Sequence, residues 1–130
     1  MPERRVLVVD DDLAILATVA DILEFEGYTV QTATNGLEAL EAVERELPSL
    51  IVLDMRMPVL DGWGLARALR ARSLDIPILV LTAAQDAGQW ADEIGAAGFL
   101  AKPFDLNDLL AAVERIPSEK TTRPGLGASA

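Results

Sequence analysis

The chain of 130 residues contains no cysteine, so disulfide bonds and thiolate metal sites are both excluded. A reducing compartment fits this absence. The sequence also lacks an apolar stretch long enough to span a bilayer. We expect no secretory signal, because only four apolar residues separate Arg5 from the first aspartate, Asp10. We therefore expect a cytoplasmic protein without a membrane partner.

Basic residues are scarce. The chain has 11 Lys and Arg against 21 Asp and Glu, which gives a formal net charge of −10. Direct binding to nucleic acid is disfavoured, because such binding depends on neutralising phosphates. With 51% hydrophobic and 25% charged residues, the composition is that of an ordinary globular protein. We expect one domain over residues 1–116 and a flexible tail or linker start over 117–130.

Apolar runs of strand length alternate with segments of helical period, which predicts βα units and a parallel sheet. Polar or glycine-containing starts predict five helices, which should begin after Asp12, Asn35, Asp61, Asp86 and about Asp105. The helix from Asp86 to Ala97 is the weakest, because it has two glycines and few large apolar residues. A strand is expected from Ile76 to Leu81.

Three of the predicted strands, at residues 6–9, 50–53 and 78–81, are apolar on both faces and belong in the middle of the sheet. The strand from Tyr28 to Ala33 alternates apolar and polar residues, so it belongs at an edge, as does the strand from Gly98. The sequence therefore predicts an α/β fold: a three-layer (βα)5 doubly wound parallel sheet of order 2-1-3-4-5, which is flavodoxin-like.

Each of four predicted strands is followed by polar groups, and in parallel strands these groups meet at the carboxyl edge, where α/β sheets bind ligands. Two carboxylates about 4 Å apart repel by about 4 kcal/mol at an effective dielectric constant near 20. Asp10, Asp11 and Asp54 would therefore need a compensating charge, and a hard cation such as Mg²⁺ suits oxygen ligands. Asp12 is expected to be a helix N-cap. The alternative is a purely structural role for the aspartates.

Over about residues 4 to 116, the chain resembles the receiver domain of two-component response regulators, the CheY-like superfamily. The matching motifs occur in order and at family-like separations: Val8-Val9-Asp10-Asp11, Asp54 with Met57-Pro58 and Asp61-Gly62, Thr82-Ala83, and Lys102-Pro103-Phe104.

The resemblance implies that Asp54 accepts a phosphoryl group from a phosphohistidine of a sensor histidine kinase or a histidine phosphotransfer protein. The chain has no histidine, so the donor must be another protein or a small acyl phosphate. Lys102 is expected to pair with a phosphoryl oxygen, and its bond to Pro103 is expected to be cis. The resemblance implies Mg²⁺ ligands from Asp10, Asp11, Asp54 and the backbone carbonyl of Arg56.

Thr82 and Phe99 correspond to the family's switch pair, which alters the face formed by the fourth helix, fifth strand and fifth helix. Because Phe99 has no hydroxyl, we expect a softer switch based on packing. The alternative is a plain core phenylalanine.

Trp90 on the fourth helix is either an exposed partner anchor or packed on the domain body. The Arg56 side chain is expected to overhang the phosphoryl group and change autodephosphorylation, while Ala84 leaves its side of the site without a polar group.

Two other functions share part of this pattern. A phosphatase of the haloacid dehalogenase type needs a second acidic residue two positions after the nucleophile, where this chain has Arg56. A flavodoxin-like flavin binder needs a phosphate loop where this chain has three aspartates. We therefore expect a signalling switch, either alone or as part of a longer regulator, and either monomeric or dimeric on phosphorylation. The end of the chain does not resemble a DNA-binding domain, which favours the stand-alone form.

Overall fold

The computed structural model describes residues 4–83 and 85–117. The predicted tail therefore lies outside the described residues apart from Pro117, and so does Ala84. Five strands and five helices alternate along the chain. They are β1 (Arg5–Val9), α1 (Leu13–Phe25), β2 (Thr29–Ala33), α2 (Gly36–Arg45), β3 (Leu50–Asp54), α3 (Gly62–Ala71), β4 (Ile78–Ala83), α4 (Ala87–Ile94), β5 (Gly98–Lys102) and α5 (Leu106–Arg115).

The strands form one parallel sheet in the order β2-β1-β3-β4-β5, which confirms the predicted fold class and strand order. Every residue of β3 is buried, whereas β2 and β5 are mostly half-buried. This difference confirms that strands apolar on both faces lie in the centre of the sheet.

The core has two parts, one on each face of the sheet. On one face, Leu7 and Ile51 pack with buried residues of α2, α3 and α4. On the other face, Val8 and Val52 pack with buried residues of α1 and α5. Side chains alternate between the faces along each strand, so the central strands contribute to both parts.

Side-chain caps fix the start of four helices. Asp12 accepts hydrogen bonds from the backbone N–H groups of Ala14 and Ile15, which confirms its predicted role as an N-cap. Asn35, Asp61 and Asp105 cap α2, α3 and α5 in the same way. These caps explain why the predicted helix starts agree with the structure.

The predictions for the fourth helix and fourth strand were wrong at their ends. Helix α4 ends at Ile94 rather than Ala97, because Gly95 adopts a left-handed conformation with φ of 67°. Strand β4 begins at Ile78 rather than Ile76, since Pro77 lacks the N–H group that a strand ladder requires. The same strand extends to Ala83, so Thr82 lies inside it.

The loop between β3 and α3 packs against the start of α2. The backbone N–H of Gly36 donates to the carbonyl of Leu60 at 2.8 Å. A Cβ atom at Gly36 would lie 2.5 Å from that same oxygen, so this contact requires glycine.

In the described part of the chain, no helix is both long and apolar enough to cross a membrane.

Candidate functional site

The sheet brings the predicted site residues to its carboxyl edge. Asp10 directly follows β1, Asp54 ends β3, Thr82 lies in β4 and Lys102 ends β5. Among the described residues, the buried polar side chains are Asp10, Asp54 and Thr82. The only interruption of the apolar interior in these ranges is therefore at this edge of the sheet.

Three carboxylates converge at the site. One oxygen from each of Asp10, Asp11 and Asp54 lies within 4.8 Å of the others, and Asp11 is exposed while the other two are buried. The Asp10 carboxylate also accepts a hydrogen bond from a neighbouring residue: the backbone N–H of Asp12 donates to Oδ1 of Asp10 at 2.9 Å. Converging carboxylate oxygens, one of them open to solvent, are the donors that a hard divalent cation such as Mg²⁺ prefers.

Lys102 places an ammonium group between two of these carboxylates. Its Nζ donates to Oδ2 of Asp10 at 3.1 Å and lies 3.7 Å from Oδ1 of Asp54. The Lys102–Pro103 peptide bond is cis, which confirms the prediction. One ammonium faces three carboxylates, so the cluster keeps negative charge that further positive charge would compensate.

The carboxyl group of Asp54 shows this excess of negative charge. Burial and then the charge of Asp10 raise its pKa to about 6, with a smaller contribution from Asp11. The ammonium of Lys102 and a hydrogen bond from the Arg56 backbone oppose this rise in the pKa. Nearby positive charge would therefore stabilise the ionised form of Asp54.

A cavity of about 670 Å³ opens onto Asp54. Its lining contains polar residues of the predicted site together with apolar residues. The polar residues include Asp54, Arg56, Thr82 and Lys102, and the apolar residues include Ala14, Ile15, Val19, Pro103 and Phe104. The cavity is thus large enough for a group to reach the Asp54 carboxylate from solvent.

The two residues of the predicted switch pair have different exposures. Thr82 is buried beside the carboxylates, whereas 54% of the Phe99 side chain is exposed. The Phe99 ring lies near Gly88 of α4, whose missing Cβ would be 3.5 Å from it. A plain core phenylalanine is therefore the wrong reading of Phe99.

The sequence did not reveal an aromatic cluster beside the site. Trp90 is only 9% exposed and packs on the domain body, so its reading as an exposed anchor was wrong. The Trp63 ring meets it edge to face with centroids 4.9 Å apart, and Trp63 Nε1 donates to Glu93 at 2.8 Å. The guanidinium carbon of Arg56 lies 5.3 Å from the centre of the Trp90 ring. No sequence period pairs Trp63 with Trp90, so only the packing of α3 against α4 could have shown this cluster.

A parallel five-stranded sheet with an acidic, lysine-paired site at its carboxyl edge is the architecture of a phospho-signalling receiver. The family model of the response regulator receiver domain matches residues 6–114. The chain therefore belongs to the receiver domain family of two-component response regulators, as the resemblance predicted. It is a signalling switch, rather than a haloacid dehalogenase or a flavin binder.

Relatives and solved structures agree with this assignment. The response regulator MprA of Mycolicibacterium vanbaalenii is 41% identical over 128 residues, which cover 97% of this chain and 55% of that protein. MprA of Mycobacterium leprae is 44% identical over 114 residues, which cover 86% of this chain and 50% of that protein. The chain thus spans about half the length of the curated relatives it matches.

Two solved structures share the fold. The chemotaxis response regulator CheY4 of Vibrio cholerae superposes with a TM-score of 0.81 at 34% identity, covering 89% of this chain and 100% of that chain. The receiver domain of NtrX from Brucella abortus gives a TM-score of 0.80 at 31% identity, with 89% and 99% coverage.

Proposed function

We propose that Asp54 accepts a phosphoryl group from the phosphohistidine of a sensor histidine kinase or a histidine phosphotransfer protein. The observation that carries this proposal is the position of Asp54, a buried carboxylate facing an open cavity with an ammonium 3.7 Å away. An oxygen of Asp54 would attack phosphorus, the phosphorus–nitrogen bond would break, and the imidazole of the donor would leave. The product on this chain is an aspartyl phosphate.

Mg²⁺ fits the donor set of this site. Its ligands would be the carboxylates of Asp10, Asp11 and Asp54 together with the backbone carbonyl of Arg56. The excess negative charge around Asp54, which raises its pKa, supports a cation at this position. When bound, Mg²⁺ supplies the positive charge that neutralises the oxygens of the transferring phosphoryl group.

Two side chains of the site would bind the new phosphoryl oxygens. Lys102 lies next to Asp54, and its Nζ would exchange Oδ2 of Asp10 for a phosphoryl oxygen. Thr82 lines the same cavity, and its hydroxyl would donate a hydrogen bond to another phosphoryl oxygen. Charge-assisted bonds of this kind are stronger than neutral ones, so they favour the phosphorylated arrangement.

The output of the switch would be a change at the face formed by α4, β5 and α5. Phe99 lies in β5, is exposed, and has its ring near Gly88 of α4. It would move into the space that Thr82 leaves when the Thr82 hydroxyl turns to the phosphoryl group. The face would then bind a partner or an effector domain, as a monomer or as a phosphorylation-dependent dimer. The net charge of −10 disfavours nucleic acid as a direct ligand of this domain.

Intact mass spectrometry tests the proposal. The chain is incubated with acetyl phosphate with and without Mg²⁺, beside the variants Asp54→Asn and Asp61→Asn. Asp61 is the matched control, since it caps α3 through a side-chain oxygen that asparagine also has. We expect one phosphoryl group on the parent and on Asp61→Asn, only with Mg²⁺, and none on Asp54→Asn. No phosphoryl gain under any condition would identify a receiver that is not phosphorylated, contrary to the proposal.

A further inference from the structure

Arg56 lies between the proposed phosphorylation site and helix α4. It is two residues beyond Asp54 and lines the same cavity, while its guanidinium carbon is 5.3 Å from the centre of the Trp90 ring. The side chain is exposed and therefore free of packing that would fix it in one position. A rotation of this side chain would carry the guanidinium from the ring toward the cavity.

The present partner of this guanidinium is weak. Within residues 4–83 and 85–117, no carboxylate lies within ion-pair distance of Arg56. Its cation–π contact with Trp90 is among the weaker interactions of a charged group at an exposed position. A phosphoryl group accepts bidentate, charge-assisted hydrogen bonds from arginine, which are stronger and match the planar guanidinium.

The ring beneath Arg56 belongs to the part of α4 that holds this helix on the domain. Helix α4 has no side-chain hydrogen bond at its N-cap, Asp86, unlike the other four helices. Trp90 packs edge to face on Trp63, which in turn donates a hydrogen bond from its indole nitrogen to Glu93 of α4. A change in what covers Trp90 therefore acts on the attachment of α4 to α3.

We infer that Arg56 is a positioning residue that leaves the Trp90 ring and pairs with the phosphoryl group once Asp54 is phosphorylated. This inference rests on the proposed function of Asp54. The guanidinium then stabilises the aspartyl phosphate and uncovers Trp90 at the same time. Arg56 thereby links the phosphorylation state to α4 by a route separate from Thr82 and Phe99.

The two tryptophans of this chain make the exchange measurable, since both lie in this cluster. In the variant Trp63→Phe, which keeps an aromatic ring beside α4, all tryptophan emission comes from Trp90. We expect the acrylamide quenching constant of Trp90 to rise about twofold on phosphorylation by acetyl phosphate and Mg²⁺. The rise follows because the Arg56 guanidinium leaves the Trp90 ring for the phosphoryl group, which binds it more strongly. Intact mass measured on the same samples reports how much aspartyl phosphate is present.

Two substitutions in the Trp63→Phe background separate this exchange from a general movement of α4. Arg56→Met keeps an aliphatic cover over the ring but cannot bind a phosphoryl group, so we expect no change in quenching on phosphorylation. Arg56→Lys keeps the positive charge but lacks the planar fork for bidentate hydrogen bonds, so we expect a rise smaller than that of the parent. If phosphorylated Arg56→Met shows the same rise as the parent, or if the phosphorylated parent shows none, Arg56 does not exchange partners.

The mass measurement keeps this inference distinct from the proposed function. Phosphorylation without a change in quenching overturns the role of Arg56 alone, whereas no phosphorylation overturns both. If Trp63→Phe does not fold, as judged by circular dichroism, the parent labelled with 5-fluorotryptophan gives the same comparison. Of its two fluorine resonances, the one that Arg56→Met shifts in the unphosphorylated chain is Trp90, and phosphorylation should move it in the parent but not in Arg56→Met.

Discussion

The ionised carboxyl group of Asp54 destabilises the folded chain. Asp54 is only 7% exposed, so its carboxyl group loses most of its hydration, and Asp10 and Asp11 add repulsion. Lys102 compensates only part of this charge, because its nearest contact is with Asp10 rather than Asp54. On the proposed function, this uncompensated charge in the free protein favours the binding of a cation and then of a phosphoryl group.

The pKa of Asp54 gives a prediction for stability. Its folded-state pKa of about 6 lies above the usual 3.8, so the folded chain binds this proton more tightly than the unfolded chain does. Stability from this group therefore falls as pH rises from about 4 to about 6. At pH 7 in EDTA, we expect Asp54→Asn to raise the free energy of unfolding by about 1–2 kcal/mol after allowance for solvent screening.

Urea denaturation of parent and variant between about pH 4 and pH 7.5 measures this effect. The gain from Asp54→Asn should disappear near pH 4, where the parent carboxyl group is protonated in the folded state. Asp21→Asn is the control, because Asp21 is exposed on α1 and is not one of the three clustered carboxylates. A gain that stays constant across this pH range would show that charge on Asp54 is not its cause.

The sequence identified the polar residues of the site because they follow local rules. Asp10, Asp54 and Lys102 stand at the ends of apolar runs, and parallel strands bring such ends together whatever the packing of the helices. The position of the Arg56 side chain follows no such rule. It depends on Trp90, which α3 and α4 bury jointly, and sequence periodicity does not state which helices pack together.

At the scale of the elements, predictions succeeded where chemistry is local. Asp12 and Asn35 can accept hydrogen bonds from the free N–H groups of a first helical turn in almost any fold, so these helix starts could be predicted from the sequence. Strand β4 shows the opposite case. The apolar pattern includes Ile76, but Pro77 cannot donate to the ladder, and backbone pairing rather than hydropathy decides where a strand begins.

The contact between α2 and the loop after β3 gives a prediction for the elements. In Gly36→Ala the new Cβ would lie 2.5 Å from the backbone oxygen of Leu60, and a backbone atom cannot move aside as a side chain can. We expect a loss of about 2 kcal/mol in the free energy of unfolding. Gly98→Ala is the matched control, since its Cβ would meet side-chain atoms at 3.6 and 3.8 Å, which is ordinary contact.

Thermal or urea denaturation of both glycine variants provides the measurement. Equal stability of Gly36→Ala and Gly98→Ala would mean that the loop shifts without cost, and the contact would not fix the loop that carries Arg56.

At the scale of the whole molecule, the formal charge of −10 dominates the electrostatics. Surface ion pairs such as Arg5–Glu46 and Arg72–Glu44 are partly exposed, so each adds little to stability. Repulsion among like charges acts over longer distances and weakens as salt is added. The balance of these two effects decides the sign of the salt dependence.

We expect NaCl to stabilise the chain. Raising its concentration from about 0.01 M to about 0.15 M in EDTA shortens the screening length from about 30 Å to about 8 Å, so repulsion weakens more than the short ion pairs do. The free energy of unfolding should rise by about 1 kcal/mol. In the double variant Glu24→Lys and Glu26→Lys, whose net charge is closer to zero, the rise should be smaller. A fall in stability with salt in the parent would mean that ion pairs outweigh repulsion.

The distance along the chain between Asp10 and Lys102, which are 92 residues apart, has a consequence during synthesis. Translation releases the amino-terminal strands first. An unfinished chain therefore carries Asp10 and Asp54 while the strand that delivers Lys102 is still inside the ribosome. On the proposed function, prematurely terminated chains would lack the lysine that binds the phosphoryl group. They would not act as decoys that drain phosphoryl groups from the kinase.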